Sequence, residues 1–137
     1  MTQFHPLDDR VLVAGQIAPE DVARAAALGV TTIVNNRPDG EEPDQPAGAE
    51  IAAAAAAADL AYHHIPVAGG LGPDQVTEMA AVLDAAEGKT LAFCKAGTRS
   101  AYLWALARAR RGADGQELLE RAAAAGYDLS PLRSYLG

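Results

Sequence analysis

The chain has 137 residues, half of them hydrophobic, which is enough for one hydrophobic core but not for two independent ones. Its formal net charge of -7 disfavours nucleic acids and anionic membranes as partners, because both would be repelled. No stretch resembles a signal peptide or a membrane span, so we expect one cytoplasmic domain covering residues 1–137, with no membrane partner and an undetermined oligomeric state.

The first half of the chain alternates short β segments with helices. An apolar run at residues 11–13 predicts a strand, and Pro19 begins a helix that Gly29 ends. The β-branched residues 30–34 predict an interior strand. Three prolines and no apolar side chain indicate a surface loop at residues 35–46, and the alanine-rich residues 50–59 predict a second helix.

The second half repeats this alternation. Residues 62–67 read as a strand and 68–72 as a flexible loop, before a helix that runs from Pro73 to Gly88. Residues 90–93 are the last predicted strand, and they deliver Cys94 at their carboxyl end. A helix over 99–111 and shorter helical segments at 116–125 and 130–136 follow. The pattern predicts a single α/β domain with a central, mostly parallel sheet of four to five strands flanked by helices, in an undetermined strand order.

Three unusual loops follow predicted strands, and the last of them contains the candidate functional residues. In open α/β sheets, ligands bind at the carboxyl ends of the strands, where residues 35–45, 68–72 and 94–100 lie. A strand-to-helix turn leaves backbone N–H groups without partners at the positive end of a helix dipole, which attracts an oxyanion. We expect residues 94–100 to bind an anion through Lys95, Ala96, Gly97 and Thr98.

Within this loop, Gly97 suits the sharp turn and Arg99 offers a planar fork of donors for two oxygens of one anion. Lys95 either adds positive charge or points to solvent. Cys94 is the only cysteine, which excludes an intramolecular disulfide and a multi-cysteine metal site. A lone cysteine is more often a small core residue, but this loop favours its thiolate form and therefore a nucleophile.

The pattern Cys94-x-x-Gly97-x-Arg99-Ser100 resembles the active-site loop of cysteine-dependent tyrosine and dual-specificity phosphatases. The wider chain resembles a small bacterial family related to the phosphatase-like domain of β-lactamase-hydrolase-like fusion proteins, also described as sulfurtransferases. The similarity extends over residues 35–41, 64–67, Trp104 and 125–129. It implies a dual-specificity-phosphatase-like fold in which Cys94 is the nucleophile, Arg99 the anion clamp and Ser100 a hydroxyl that helps the thiolate leave, without a metal or cofactor.

Two departures from the phosphatase pattern leave alternative functions open. Four residues separate Cys94 from Arg99, as in rhodanese-type sulfurtransferases, whereas phosphatases usually have five; Phe93 stands where they usually have histidine. The leading hypothesis is a phosphatase that forms a thiophosphate on Cys94. The alternatives are a sulfurtransferase that forms a Cys94 persulfide and a non-catalytic module that binds a phospho-ligand. The expected partner is accordingly a phosphorylated substrate or a sulfur donor and acceptor.

A phosphatase also needs a general acid, and Asp39 and Asp74 are the two candidates. Asp39 also reads as a turn residue, and Asp74 as a carboxylate in the first turn of a helix. Arg37 either pairs with an acidic residue of its loop or reaches the anion, and we consider Arg37 and Asn36 candidate substrate-binding residues. We interpret the acidic run of Glu41, Glu42 and Asp44 as a solvated loop without a catalytic role.

Overall fold

A five-stranded sheet organises residues 2–136, the part of the chain that the computed structural model describes. Its order is β1-β2-β5-β3-β4. The outer pair β1 and β2 is antiparallel and every other pair is parallel. The fold is therefore the predicted α/β class with a mostly parallel sheet. The strands are β1 (His5–Pro6), β2 (Val11–Ala14), β3 (Val30–Asn35), β4 (Ala61–His64) and β5 (Lys89–Phe93).

Helices cover both faces of the sheet. They are α1 (Pro19–Ala27), α2 (Gly48–Ala57), α3 (Pro73–Ala85), α4 (Thr98–Arg110) and α5 (Gly115–Ala124), followed by a 3₁₀ helix (Ser130–Tyr135). One core joins α1 and α2 to the sheet, where the small side chains of Ala25 and Ala55 are fully buried. The larger core lies beneath α3, α4 and α5 around Trp104. The two cores hold the sheet between two layers of helices.

Strand β5 lies at the centre of the sheet and contributes side chains to both cores. Leu91 and Phe93 pack on the side of α1 and α2, whereas Ala92 packs on the opposite side. This alternation is the ordinary pleat of a strand. Because β2 and β3 flank β5 on either side in parallel pairing, the residue after Phe93 emerges between two other strand ends.

Two strands differ from the sequence predictions. Strand β1 was not predicted, because it has only two residues and one is Pro6. Strand β4 ends at His64, although backbone N–H groups of Ile65 and Val67 still donate to Asn35 and Asn36 at 2.9 and 3.0 Å. These two donors are two residues apart but their acceptors are consecutive, so the regular register is lost and the ladder stops.

The predicted surface loop at residues 35–46 is only partly at the surface. Its first residues, Asn35, Asn36 and Arg37, are 3%, 0% and 3% exposed, so the surface interpretation is wrong for this end of the loop. Asn35 is the last residue of β3, and the two residues after it continue into the interior. Within residues 2–136, no helix has the length and apolarity needed to cross a membrane.

Candidate active site

Cys94 follows β5 directly, and its side chain faces the loop that begins there. The side chain is 1% exposed, yet Cys94 belongs to neither of the two hydrophobic cores described over residues 2–136. The backbone N–H of Gly97 donates to the Cys94 sulfur at 3.1 Å. This contact aims a main-chain donor of the loop at the sulfur.

The loop exposes a set of unpaired backbone donors. Gly97 is the N-cap of α4 with φ 93°, in the left-handed region, and its carbonyl accepts the N–H of Ala101 at 2.9 Å. Five neighbouring amides make no hydrogen bond within residues 2–136, and each lies in the loop or the first turn of α4. They belong to Lys95, Ala96, Thr98, Arg99 and Ser100. Such a group of amides at a helix N-terminus binds an oxyanion.

Tyr127 holds this loop from the other end of the chain. Its hydroxyl donates to the carbonyl of Ala96 at 3.2 Å, and its ring covers Gly97, where an added Cβ would lie 2.9 Å from Cζ. Burial raises the pKa of Tyr127, and the negative charge of the Cys94 thiolate raises it further. No local sequence pattern gives Tyr127 a role, and only its place in the segment 125–129 that resembles the family singles it out.

Arg99 is fixed so that one edge of its guanidinium stays available. Nη1 donates to Glu41 Oε2 and to the carbonyl of Val67 at 2.8 and 2.9 Å, and Nη2 donates to Glu41 Oε1 at 3.0 Å. These bonds use three of the five guanidinium N–H groups. The remaining two, on Nε and Nη2, lie along one edge and suit two oxygens of a single anion.

The same guanidinium also faces the sulfur. Hydrogen bonding to Glu41 raises the pKa of Arg99 above its usual value, and the charge of the nearby Cys94 side chain contributes to this rise. The sequence-predicted nucleophile and anion clamp are therefore neighbours in space. An anion bound by the free edge of Arg99 would lie beside the Cys94 sulfur.

Glu41 contradicts the interpretation of the acidic run as a solvated loop. Its carboxylate pairs with Arg99 and also accepts Arg37 Nε at 2.8 Å. Hydrogen bonding to Arg99, with further bonding to Arg37, lowers the pKa of Glu41 to about 2. The composition of the run suggested that its side chains face solvent. Because 58 residues separate Glu41 from Arg99, no local sequence pattern could reveal this ion pair.

Glu42 is the second exception in this run. Its carboxylate lies 2.5 Å from Lys95 Nζ and 3.5 Å from Arg37 Nη2. Hydrogen bonding to Lys95 lowers the pKa of Glu42. Asp44, in contrast, is exposed, as the sequence predicted. Two neighbouring carboxylates thus attach the loop after β3 to the loop that carries Cys94.

Ser100 and Asn36 form a buried pair beneath the loop. Both are 0% exposed, and Ser100 Oγ donates to Asn36 Oδ1 at 2.8 Å while Asn36 Nδ2 donates to the carbonyl of Ile65 at 2.9 Å. Because a hydroxyl has one proton, Ser100 would have to turn away from Asn36 to donate to Cys94. The leaving-group role of Ser100 stays a prediction. Asn36 is buried and hydrogen-bonded to Ser100. This geometry does not support a direct contact between Asn36 and a substrate.

The two candidate general acids lie in different places. Asp39 Oδ1 accepts the backbone N–H of Gly48 at 2.8 Å, so this carboxylate satisfies the start of α2. It makes no hydrogen bond or ion pair to the Cys94 loop within residues 2–136. Asp74 is exposed in the first turn of α3, shortly after the residues 69–71 that line a groove beside Arg99.

That groove has a volume of about 330 Å³ and places an apolar wall next to the free guanidinium. Its polar end is formed by Arg99 and Glu41. Its other lining residues are Val67, Gly69, Gly70, Leu71, Tyr102 and Leu132. The groove therefore suits an apolar group attached to an anion at the Cys94 loop.

The chain is similar to known proteins of one family. Residues 3–111 match the family described as beta-lactamase hydrolase-like protein, phosphatase-like domain. The chain belongs to this family. Over 132 residues, this phosphatase-like domain is 33% identical to a beta-lactamase hydrolase-like protein of Xylella fastidiosa, covering 95% of the domain and 31% of the relative. A relative from Agrobacterium fabrum is 37% identical over 107 residues, covering 77% and 25%. The domain thus spans less than a third of these relatives.

Solved structures confirm the predicted phosphatase-like fold. The phosphatase-like domain resembles a candidate phosphatase of Neisseria meningitidis with a TM-score of 0.83 and 35% identity, covering 96% of the domain and 94% of that chain. It resembles TpbA of P. aeruginosa with a TM-score of 0.68 and 22% identity, over 97% and 82%. For PTPMT1 the TM-score is 0.71 at 16% identity, over 98% and 94%. The last two similarities concern the fold alone.

Proposed function

We propose that the protein is a cysteine-dependent phosphatase that hydrolyses phosphate monoesters through a thiophosphate on Cys94. The observation that carries this proposal is the convergence of three groups on one place. They are the Cys94 sulfur, the free amides of the loop after it and the unused edge of Arg99. Membership in a phosphatase-like family supports the same activity.

In the first step, the Cys94 thiolate attacks phosphorus. A sulfur–phosphorus bond forms as the bond from phosphorus to the leaving oxygen breaks, and that oxygen takes a proton from a general acid. The loop amides and Arg99 bind the nonbridging oxygens, where negative charge is spread in the transition state. Glu41 keeps Arg99 in position for this contact through its two hydrogen bonds.

In the second step, water attacks the phosphorus of the thiophosphate. An oxygen–phosphorus bond forms, the sulfur–phosphorus bond breaks and the electron pair returns to the Cys94 sulfur as the thiolate. The proton of the water passes to the group that acted as the acid in the first step. Of the two candidates, we assign this role to Asp74, because Asp39 is engaged at the start of α2.

The substrate class we propose is an aryl phosphate such as phosphotyrosine. The groove beside Arg99 has the aliphatic wall that a ring would contact, with Val67 and Leu71 among its lining residues. TpbA, which shares the fold, has been solved as a cysteine-to-serine variant in complex with phosphotyrosine. Both observations support an aromatic leaving group.

The decisive experiment compares wild type with Cys94→Ser on phenyl phosphate. Turnover is expected to vanish while inorganic phosphate still binds, because the loop amides and Arg99 remain. Arg99→Met is expected to weaken phosphate binding, whereas Arg111→Met is the matched control, since Arg111 pairs with Asp84 outside the site. Undiminished turnover by Cys94→Ser would refute the proposal.

The second candidate function is sulfur transfer, which the four-residue spacing between Cys94 and Arg99 favours. The Cys94 thiolate would attack the outer sulfur of thiosulfate, forming a persulfide as the sulfur–sulfur bond of thiosulfate breaks and sulfite leaves. A thiol acceptor would then take that sulfur and restore Cys94. Mass spectrometry of the thiosulfate-treated protein tests this: one sulfur atom retained on Cys94, without aryl phosphatase activity, would establish it instead.

A further inference from the structure

Arg37 carries a buried donor that lacks an acceptor. Its side chain is 4% exposed, and its Nε and Nη1 donate to Glu41 and to Gln16 Oε1 at 2.8 and 3.0 Å. Within residues 2–136, its Nη2 is the only buried side-chain nitrogen or oxygen with no hydrogen-bond partner. Leaving a charged donor unsatisfied in the interior is unfavourable, so this nitrogen marks a position where an acceptor fits.

The group facing this nitrogen is the carboxylate of Glu42, which meets it only at long range. Glu42 Oε1 is 3.5 Å from Arg37 Nη2 but 2.5 Å from Lys95 Nζ. The Glu42 and Lys95 side chains are 40% and 62% exposed. Exposed ion pairs contribute little free energy, so another anion can displace Glu42. Both cations face the same oxygen, Glu42 Oε1, so an oxyanion that offers a separate oxygen to each cation would fit better.

These two cations lie next to the anion loop. Lys95 directly follows Cys94, and Arg37 Nε and Arg99 Nη2 both lie within 3.0 Å of the same oxygen, Glu41 Oε1. Three cationic side chains therefore converge at one place on a chain whose net charge is -7. Arg99 serves the loop, and the other two face the position that Glu42 holds.

We propose that Arg37 and Lys95 form a second oxyanion subsite beside the Cys94 loop, which the Glu42 carboxylate fills in this structure. The protein then binds ligands with two oxyanion groups on a short spacer. One group is a phosphate on the loop, and the other is a phosphate or carboxylate in place of Glu42. The inference rests on the proposed function only for the first of these groups.

Calorimetry with phosphonates tests this without turnover. Methylphosphonate has one oxyanion group, and a series of bisphosphonates with an increasing number of methylene groups has two. At constant ionic strength, the best bisphosphonate is expected to bind about tenfold or more tightly than methylphosphonate, because it gains hydrogen bonds to two further cations. Phosphonocarboxylates of the same spacer lengths show whether a carboxylate suffices as the second group.

Variants test which residues produce the preference for bisphosphonate over methylphosphonate. Lys95→Met is expected to reduce it to about twofold, the statistical advantage of two equal groups. Lys89→Met is the matched control, because it removes the same charge at the opposite end of β5 and is expected to leave the preference intact. Glu42→Gln is expected to tighten bisphosphonate binding about threefold or more, with methylphosphonate unaffected.

Three outcomes would overturn the second subsite: absence of bisphosphonate binding, equal affinity for the two ligand types in wild type, or a full preference in Lys95→Met. None of these depends on catalysis. Failure of the phosphatase proposal appears separately, as undiminished phenyl phosphate turnover by Cys94→Ser. The two failures are therefore distinguishable.

Discussion

The ring of Tyr127 lies directly over Gly97, so that a Cβ at this glycine would come within 2.9 Å of the phenol Cζ. The chain needs a residue without a side chain here for two reasons. The left-handed φ of 93° is unfavourable for other residues, and the phenol occupies the space. Both conditions keep the anion loop in one conformation.

Gly97→Ala is therefore expected to destabilise the protein by about 1–2 kcal/mol from the backbone and a further 1–3 kcal/mol from overpacking. Gly112→Ala is a matched control, because Gly112 also has φ 93° but nothing within 4 Å of its Cβ position. Urea denaturation of both variants separates the cost of the backbone conformation from the cost of the steric clash with Tyr127. Equal losses of stability would show that the contact with Tyr127 is unimportant.

Tyr127 is expected to titrate above its ordinary pKa, and Cys94→Ala is expected to lower that pKa by removing the thiolate charge while the burial remains. Because folding raises the pKa of this acid, its contribution to stability is complete below about pH 10, the ordinary tyrosine value, and is lost at higher pH. Absorbance titration at the phenolate band, with Tyr127→Phe subtracted, measures the shift. A Tyr127 titration unaffected by Cys94→Ala would contradict the proximity.

Glu41→Gln is expected to lower kcat on phenyl phosphate by about tenfold, because Arg99 loses its charged anchor and its alignment. The folded pKa of about 2 is below the ordinary 4.5, so the carboxylate contributes stability above about pH 4.5 and loses it as the pH falls through 2. The stability difference between wild type and Glu41→Gln should accordingly shrink from pH 5 to pH 2.

A control for this variant is Glu78→Gln, which removes a carboxylate that is exposed on α3 and forms no ion pair within residues 2–136. It is expected to leave kcat unchanged. If Glu41→Gln behaved like this control in both kcat and acid stability, the positioning role of Glu41 would be refuted.

Asp74→Asn is expected to slow phenyl phosphate hydrolysis by about 10²-fold or more but to slow p-nitrophenyl phosphate hydrolysis much less. A poor leaving group requires protonation, whereas a good one departs as an anion. Asp39→Asn is expected instead to leave both rates and the stability nearly unchanged, because the Asp39 side chain accepts the first N–H of α2 and an asparagine oxygen can accept the same N–H. Steady-state rates on the two esters, combined with thermal melts, distinguish these roles. The opposite assignment would follow if Asp39→Asn alone produced the leaving-group dependence.

The order of elements and the anion loop were predictable because both depend on local sequence. Alternating apolar runs predicted the strands, and a strand followed by Cys94, Gly97 and Arg99 predicted a strand-loop-helix turn. The turn residue Gly97 indeed has a positive φ. In this region the residues that set the backbone are adjacent in the chain.

The partners of that loop were not predictable in the same way. Tyr127 lies 31 residues from Ala96, and Asn36 lies 64 residues from Ser100. The contact of Asn36 depends on strand order, which places β3 beside β5 although α2, β4 and α3 intervene in the chain. Residues 36 and 37 looked like polar loop positions because composition does not show which polar side chains are enclosed.

The central place of β5 has one more consequence. Each long side of the strand is bonded to a parallel neighbour, so sliding or fraying it would disrupt two ladders at once. Amide hydrogens of β5 should thus be among the slowest in the molecule to exchange with deuterium. Cys94, the proposed nucleophile, directly follows this strand and is therefore attached to a part of the fold that is held on both sides.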